Sequence, residues 1–243
     1  MAVEEVAIAV TADALASQEK RRPLVALVGA LTTAIPPAAQ AFATEFPEAT
    51  LWNVLDDRLI LEALEAGGLT QPLTDRMSTL ISYTLDGGAD GILLTCSMYG
   101  PVAHAMSRTA SVPVYASDDA AFEAVVDGGY SRVMLLSSRP IPLADAAHRL
   151  DEFLHARHAS VEVTSVLAEG ALAKSETGTA AELAQALASA VRAVDARPEA
   201  VLLAQYSLAP ATNALAEAIG LPVLAGPPRA AAKMRAAILR TGS

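Results

Sequence analysis

Short apolar runs recur along the chain, each ending in a small polar cluster and each followed by helical periodicity. Residues 24–30 are the first, bounded by Pro23 and Thr32-Thr33, and read as a buried strand. Pro36-Pro37 fit the first turn of a helix through Phe46. Residues 50–54 form a second strand, ending near Asn53 and followed by Asp56-Asp57. Met77, Leu80, Ile81 and Leu85 predict a long helix over 70–85, stopped by Gly87-Gly88. The third strand is 91–95, with a helix starting near Pro101. The fourth is 112–115, and Ser117-Asp118 then cap a helix to Val126.

The pattern then begins again. Strands are expected at 132–136, 160–164, 200–204 and 221–224, and helices at 142–156, 179–194 and 227–239. The third strands match most closely. Gly91-Ile92-Leu93-Leu94-Thr95-Cys96-Ser97 returns 110 residues later as Val201-Leu202-Leu203-Ala204-Gln205-Tyr206-Ser207, which sets Cys96 on Tyr206. The fourth strands, around Val114 and Val223, repeat at 109. The expected fold is α/β, with two pseudo-symmetric lobes, each a four-stranded parallel sheet flanked by helices, and an active site in the cleft between them. The expected boundaries are an N-terminal extension at 1–22 (with a helix over 12–20), a first lobe at 23–116 and a second at 117–226. The last helix, 227–241, is expected to pack back on the first lobe.

Composition narrows the function. The net charge is −10, and the longest basic run, Lys20-Arg21-Arg22, is too short for a nucleic-acid or anionic-membrane surface. One cysteine excludes an internal disulfide and a cysteine-cluster zinc site. Glu4 and Glu5 stand where a signal peptide needs positive charge, and no apolar stretch reaches the roughly 20 residues of a membrane span. The expectation is a soluble cytoplasmic protein. No GxGxxG follows a strand, and Asp56-Asp57 alone make an incomplete metal site, so neither a nucleotide cofactor nor a metal is expected.

The candidate chemistry lies at the strand ends. Thr32, Thr33, Asn53, Thr95, Cys96 and Ser97 occupy them in the first half, and Ser137, Ser138, Gln205, Tyr206 and Ser207 in the second. These small uncharged groups suit a carboxylate held by hydroxyls and backbone N–H groups. Cys96 lies between a strand and a helix N-terminus, where the dipole should make its thiol more acidic than a free one, able to act as base or nucleophile. His104 points away from the strand tip, and His148, His155 and His158 lie on or beside one surface helix, so a Cys–His hydrolase is unsupported.

With these residues placed, the chain resembles the aspartate/glutamate racemase superfamily over residues 24–240. The likeness rests on residues 88–97, on residues 201–209 and on Asn53-Val54-Leu55-Asp56-Asp57-Arg58-Leu59-Ile60. The resemblance implies a cofactor-free enzyme acting at the carbon α to a carboxylate, with two opposed cysteines exchanging the proton. Here Cys96 matches the first, and Tyr206 stands at the second on the 110-residue offset. The catalytic pair is therefore read as Cys96 and Tyr206, with Thr32, Thr33, Asn53, Thr95, Ser97, Ser137, Ser138 and Ser207 binding the substrate. Racemisation or isomerisation of a small acid or amino-acid derivative is the leading expectation. Decarboxylation of a malonate-type acid is the alternative, since arylmalonate decarboxylase also keeps one cysteine. A non-catalytic carboxylate-binding protein is a further alternative. The expected partner is a small carboxylate substrate, with homo-oligomerisation left open.

Overall fold

A computed structural model describes residues 21–241; of the extension expected at 1–22, residues 1–20 and the expected helix lie outside the described residues. The first half runs β1 (Leu24–Gly29), α1 (Ile35–Glu45), β2 (Thr50–Leu55), α2 (Arg58–Glu65), α3 (Gln71–Asp86), β3 (Gly91–Leu94), α4 (Gly100–Ser107), β4 (Val114–Tyr115) and α5 (Asp119–Asp127). The second runs β5 (Arg132–Ser137), α6 (Pro140–Ala156), β6 (Glu162–Leu167), α7 (Ala171–Thr177), α8 (Ala180–Arg192), β7 (Ala200–Leu203), α9 (Thr212–Ile219), β8 (Val223–Ala225) and α10 (Gly226–Thr241). The strands form two parallel four-stranded sheets of identical order, β2-β1-β3-β4 and β6-β5-β7-β8.

Alternation along each central strand feeds both faces of its sheet, as a parallel sheet between helices requires. Ala26, Val28, Ile92 and Leu94 meet Leu59, Met77 and Ile81 on one face of the first sheet. Val25, Leu27 and Leu93 meet Phe42, Met234 and Ile238 on the other. In the second sheet Met134, Leu136 and Leu203 pack on Leu183, Leu187 and Leu215, while Val133, Leu135 and Leu202 pack on Phe122, Val125 and Leu150. The helix after each fourth strand thus covers the other lobe's sheet: α5 lies on β5 and β7, and α10 on β1 and β3. Gly91 permits the second contact, because a Cβ there would stand 2.5 Å from Met234 Sδ.

Three short helices were not anticipated: α2 and its counterpart α7, each in the connection after a second strand, and α9 between β7 and β8. Asn53 does not end β2. The strand continues to Leu55, and Asn53 pairs with Leu27 inside it, on the outermost strand with its side chain exposed. Asp118 takes the N-cap position of α5 but makes no capping hydrogen bond. Among the described residues no helix is long and apolar enough to cross a membrane.

Candidate active site

β3 carries Cys96 to the lobe interface. The chain leaves the strand at Thr95, whose N–H still donates to the Val28 carbonyl at 2.9 Å, and turns through a single 3₁₀ turn, Ser97–Tyr99, before α4. β7 does the same: the Ala204 N–H donates to the Leu136 carbonyl at 2.9 Å, and a 3₁₀ turn runs over Tyr206–Ala211. Val28 pairs with Leu94 and Leu136 pairs with Leu203, so Leu94 corresponds to Leu203. Cys96 therefore corresponds to Gln205 and Ser97 to Tyr206. The 110-residue offset, which set Cys96 on Tyr206, is one residue too long. Both Cys96 and Gln205 are extended residues capping their 3₁₀ turns, which supports the corrected pairing.

The two turns meet across a small cavity. Thr33, Thr95, Cys96 and Ser97 line it from the first lobe, with Leu31, Ile60 and Met98 as apolar wall. Gln205, Tyr206, Ser207 and Pro142 line it from the second, and Ser117 closes it from the β4–α5 connection. Its free volume is about 40 Å³, on the scale of one or two waters, so a larger ligand requires the lobes to part. No charged side chain is among the lining residues. Thr32, Asn53, Ser137 and Ser138 do not line it.

Two glycines make the walls possible. A Cβ at Gly29 would lie 2.6 Å from Thr95 Oγ1. One at Gly226 would lie 2.6 Å from Cε1 of Tyr206 and 2.7 Å from the Ser117 carbonyl oxygen. The Tyr206 hydroxyl donates to that carbonyl at 3.3 Å. Burial, followed by the nearby Asp118 and Asp119 carboxylates, holds its pKa well above that of an ordinary phenol.

The thiol is not acidified. Cys96 is buried, and burial pushes its pKa up to about 12, against the lowering effect of the Met98 backbone hydrogen bond; Asp118 raises it and Arg149 lowers it more weakly. Desolvation of the thiolate outweighs the turn amides and the short α4 helix, which corrects the expectation from the dipole. Behind Ser117 stands an ionic cluster with no sequence signature. The Ser117 hydroxyl donates to Asp118 at 2.7 Å, and Arg149 of α6 donates to Asp118 and, at 3.0 Å, to Asp145. The Arg149 and Asp118 side chains are 10% and 9% exposed, and Arg149 Nη2 is buried without a hydrogen-bond partner among the described residues. Burial alone would lower the Arg149 pKa; the two carboxylates outweigh it and raise it. On the outer side His104 pairs with Asp119 at 2.7 Å, far from any role as a partner for the thiol.

Ser137 and Ser138 act one step back. The Ser138 N–H donates to Gln205 Oε1 at 2.7 Å, and the Ser138 and Ser137 hydroxyls lie 3.0 and 2.8 Å from the same oxygen. Gln205 and Ser117 are the polar lining residues that sequence reasoning did not assign to the site. The first was visible as a polar strand end, the second only as part of a capping pair. Among the described residues no group of three His, Cys, Asp or Glu side chains is placed to hold a metal.

The model of the Asp/Glu/hydantoin racemase family matches residues 14–234. The chain belongs to that family. Among solved structures, this racemase-family chain is similar to a glutamate racemase isoform of Bacillus anthracis, with 10% identity, coverage of 90% and 83% of the two chains, and a TM-score of 0.68. The allantoin racemase of Klebsiella pneumoniae shares 17% identity, with coverage of 90% and 89% and a TM-score of 0.63. A Gly74Cys mutant of arylmalonate decarboxylase shares 18%, with coverage of 88% and 94% and a TM-score of 0.61. No curated protein sequence matches the chain. At these identities the likeness is one of fold: the racemase-family two-lobed α/β architecture.

Proposed function

We propose that this family member is a cofactor-independent enzyme acting at the carbon α to a carboxylate of a small acid or amino-acid derivative, racemase- or isomerase-like, with Cys96 as its thiol acid/base. One observation carries the reading: the chain's only thiol sits at a strand tip in a small interlobe cavity whose polar wall groups are all uncharged. Thr33, Thr95, Ser97 and Ser207 hold the carboxylate. As the α proton leaves, charge moves onto the carboxylate oxygens, and fixed hydroxyl dipoles of the cavity wall stabilise that enolate-like state without reorganising. Thr32 and Asn53 have no part in this reading, and Tyr206 serves as an uncharged wall with its hydroxyl turned to Ser117.

Decarboxylation of a malonate-type acid is favoured as a second reading by the state of the thiol. With a pKa of about 12 it rests protonated. Loss of CO₂ leaves the bond's electron pair in an enolate without any base, the thiol then gives its proton to the α carbon, and water reprotonates the thiolate. Only a donor is required. Racemisation needs a thiolate first, so the lobes must rehydrate Cys96 on opening or the bound acid must lower its pKa.

Incubation in deuterated water with amino acids, hydantoins and substituted malonates, followed by proton NMR, tests both. The expected result is Cys96-dependent α-deuterium incorporation, with loss of a carboxylate only in the second case. If Cys96→Ser leaves both reactions unchanged, or wild type performs neither, the assignment fails.

A further inference from the structure

We propose that Gln205 is the site's fixed hydrogen-bond donor, presenting its side-chain nitrogen to an oxygen of the bound acid, with Ser137 and Ser138 as positioning residues behind it. The proposal rests on the reading that the cavity takes a carboxylate. Its geometry is independent of which reaction follows.

A backbone N–H can only donate, so the Gln205 atom 2.7 Å from the Ser138 amide is the oxygen. The Ser138 hydroxyl converges on the same oxygen at 3.0 Å. Ser137 lies 2.8 Å from it and 2.9 Å from the Arg139 carbonyl, and its one proton serves either. The amide group is planar, so fixing Oε1 fixes Nε2. Among the described residues no acceptor takes the Nε2 hydrogens, and Gln205 lines the cavity. A strand-end glutamine held this way keeps two donors beside the cavity it lines. It also occupies the position related to Cys96 by the internal repeat, so the acid lies between a thiol on one lobe and an amide on the other. An amide neither takes nor gives a proton near neutrality. It binds an anion there without competing for the proton.

Titration calorimetry on the full chain with malonate, succinate and phenylacetate tests this. Gln205→Met is expected to weaken whichever acid binds by tenfold or more, the scale of a hydrogen bond to a charged acceptor. Gln205→Glu should weaken it further, by opposing the charge. Ser138→Ala should cost about threefold by leaving the amide free to turn, with Ser138→Thr restoring affinity. In wild type, the Gln205 side-chain ¹⁵N–¹H pair should shift on adding the acid, a readout that needs no stable variant. Binding by folded Gln205→Met within twofold of wild type, an unmoved amide signal, or no binding of any of the three acids overturns the proposal. Gln205-dependent binding without Cys96-dependent exchange or CO₂ release would instead leave the donor in place and defeat the catalytic reading.

Discussion

Removing Asp118 exposes what the cluster behind Ser117 contributes. Arg149 and Asp118 are each about nine-tenths buried, and Arg149 Nη2 already lacks an acceptor among the described residues. Asp118→Ala leaves the guanidinium with Asp145 alone, whose side chain is 29% exposed. Stranding one member of a buried pair costs about 3–5 kcal/mol, and the surviving Asp145 contact places this case near 3. The lost Ser117 hydrogen bond to a carboxylate adds about 1 kcal/mol. The sum, about 4 kcal/mol, is read from urea unfolding as the change in midpoint at constant slope. The double variant Asp118→Leu/Arg149→Met removes both charges and should recover most of the loss, since an apolar pair of similar volume is near neutral or better. A second readout lies in the site. Asp118 is one of the groups raising the Cys96 pKa, so its removal should lower that pKa and bring the onset of iodoacetamide labelling to lower pH. A cost below about 1 kcal/mol, or a double variant as unstable as the two singles combined, would refute the reasoning.

The wild-type thiol should label slowly at pH 8 and faster only as pH approaches 12, while the unfolded chain labels readily near pH 9. Because the folded pKa is the higher, the corresponding stability is intact below the unfolded value and lost as pH rises from about 9 toward 12; alkaline unfolding curves of wild type and Cys96→Ala should differ in that window. Gly226→Ala should cost about 1–3 kcal/mol and lower the melting temperature, because its Cβ meets both a buried ring and a backbone carbonyl that cannot both yield. Gln205→Cys should place a second thiol at the Cys96-related position. Any product chiral at the α carbon should then emerge closer to racemic by chiral chromatography, at reduced rate.

The architecture was legible because the strands carry their pattern in short apolar runs, each punctuated by glycine, proline or hydroxyl residues. The helices α2, α7 and α9 were not, since seven or eight residues give too few turns for a periodic stripe to stand out. The pairing of Cys96 went astray for a related reason. Matching Ser97 with Ser207 improves identity between the turns, but the strands before them align one residue earlier. The offset of 109 between Val114 and Val223 was the available signal, and backbone register, which identity does not weigh, decides it. Thiol acidity was misjudged because burial depends on how closely the lobes meet. Arg149 offered no signal at all, being one of several polar residues on an amphipathic helix.

The crossed helices bear on the origin and the separability of the halves. Cut between the lobes, each half would lose the helix that covers one face of its sheet and keep a helix with nothing to cover. Neither piece should fold alone, yet two copies of one half could exchange those helices and rebuild the whole as a symmetric dimer. In such a dimer every strand tip would be duplicated, so a thiol on one side would demand a thiol on the other. Fusion into a single chain lifts that constraint, and a site with cysteine on one wall and glutamine on the other is a form that a symmetric dimer of one half cannot take.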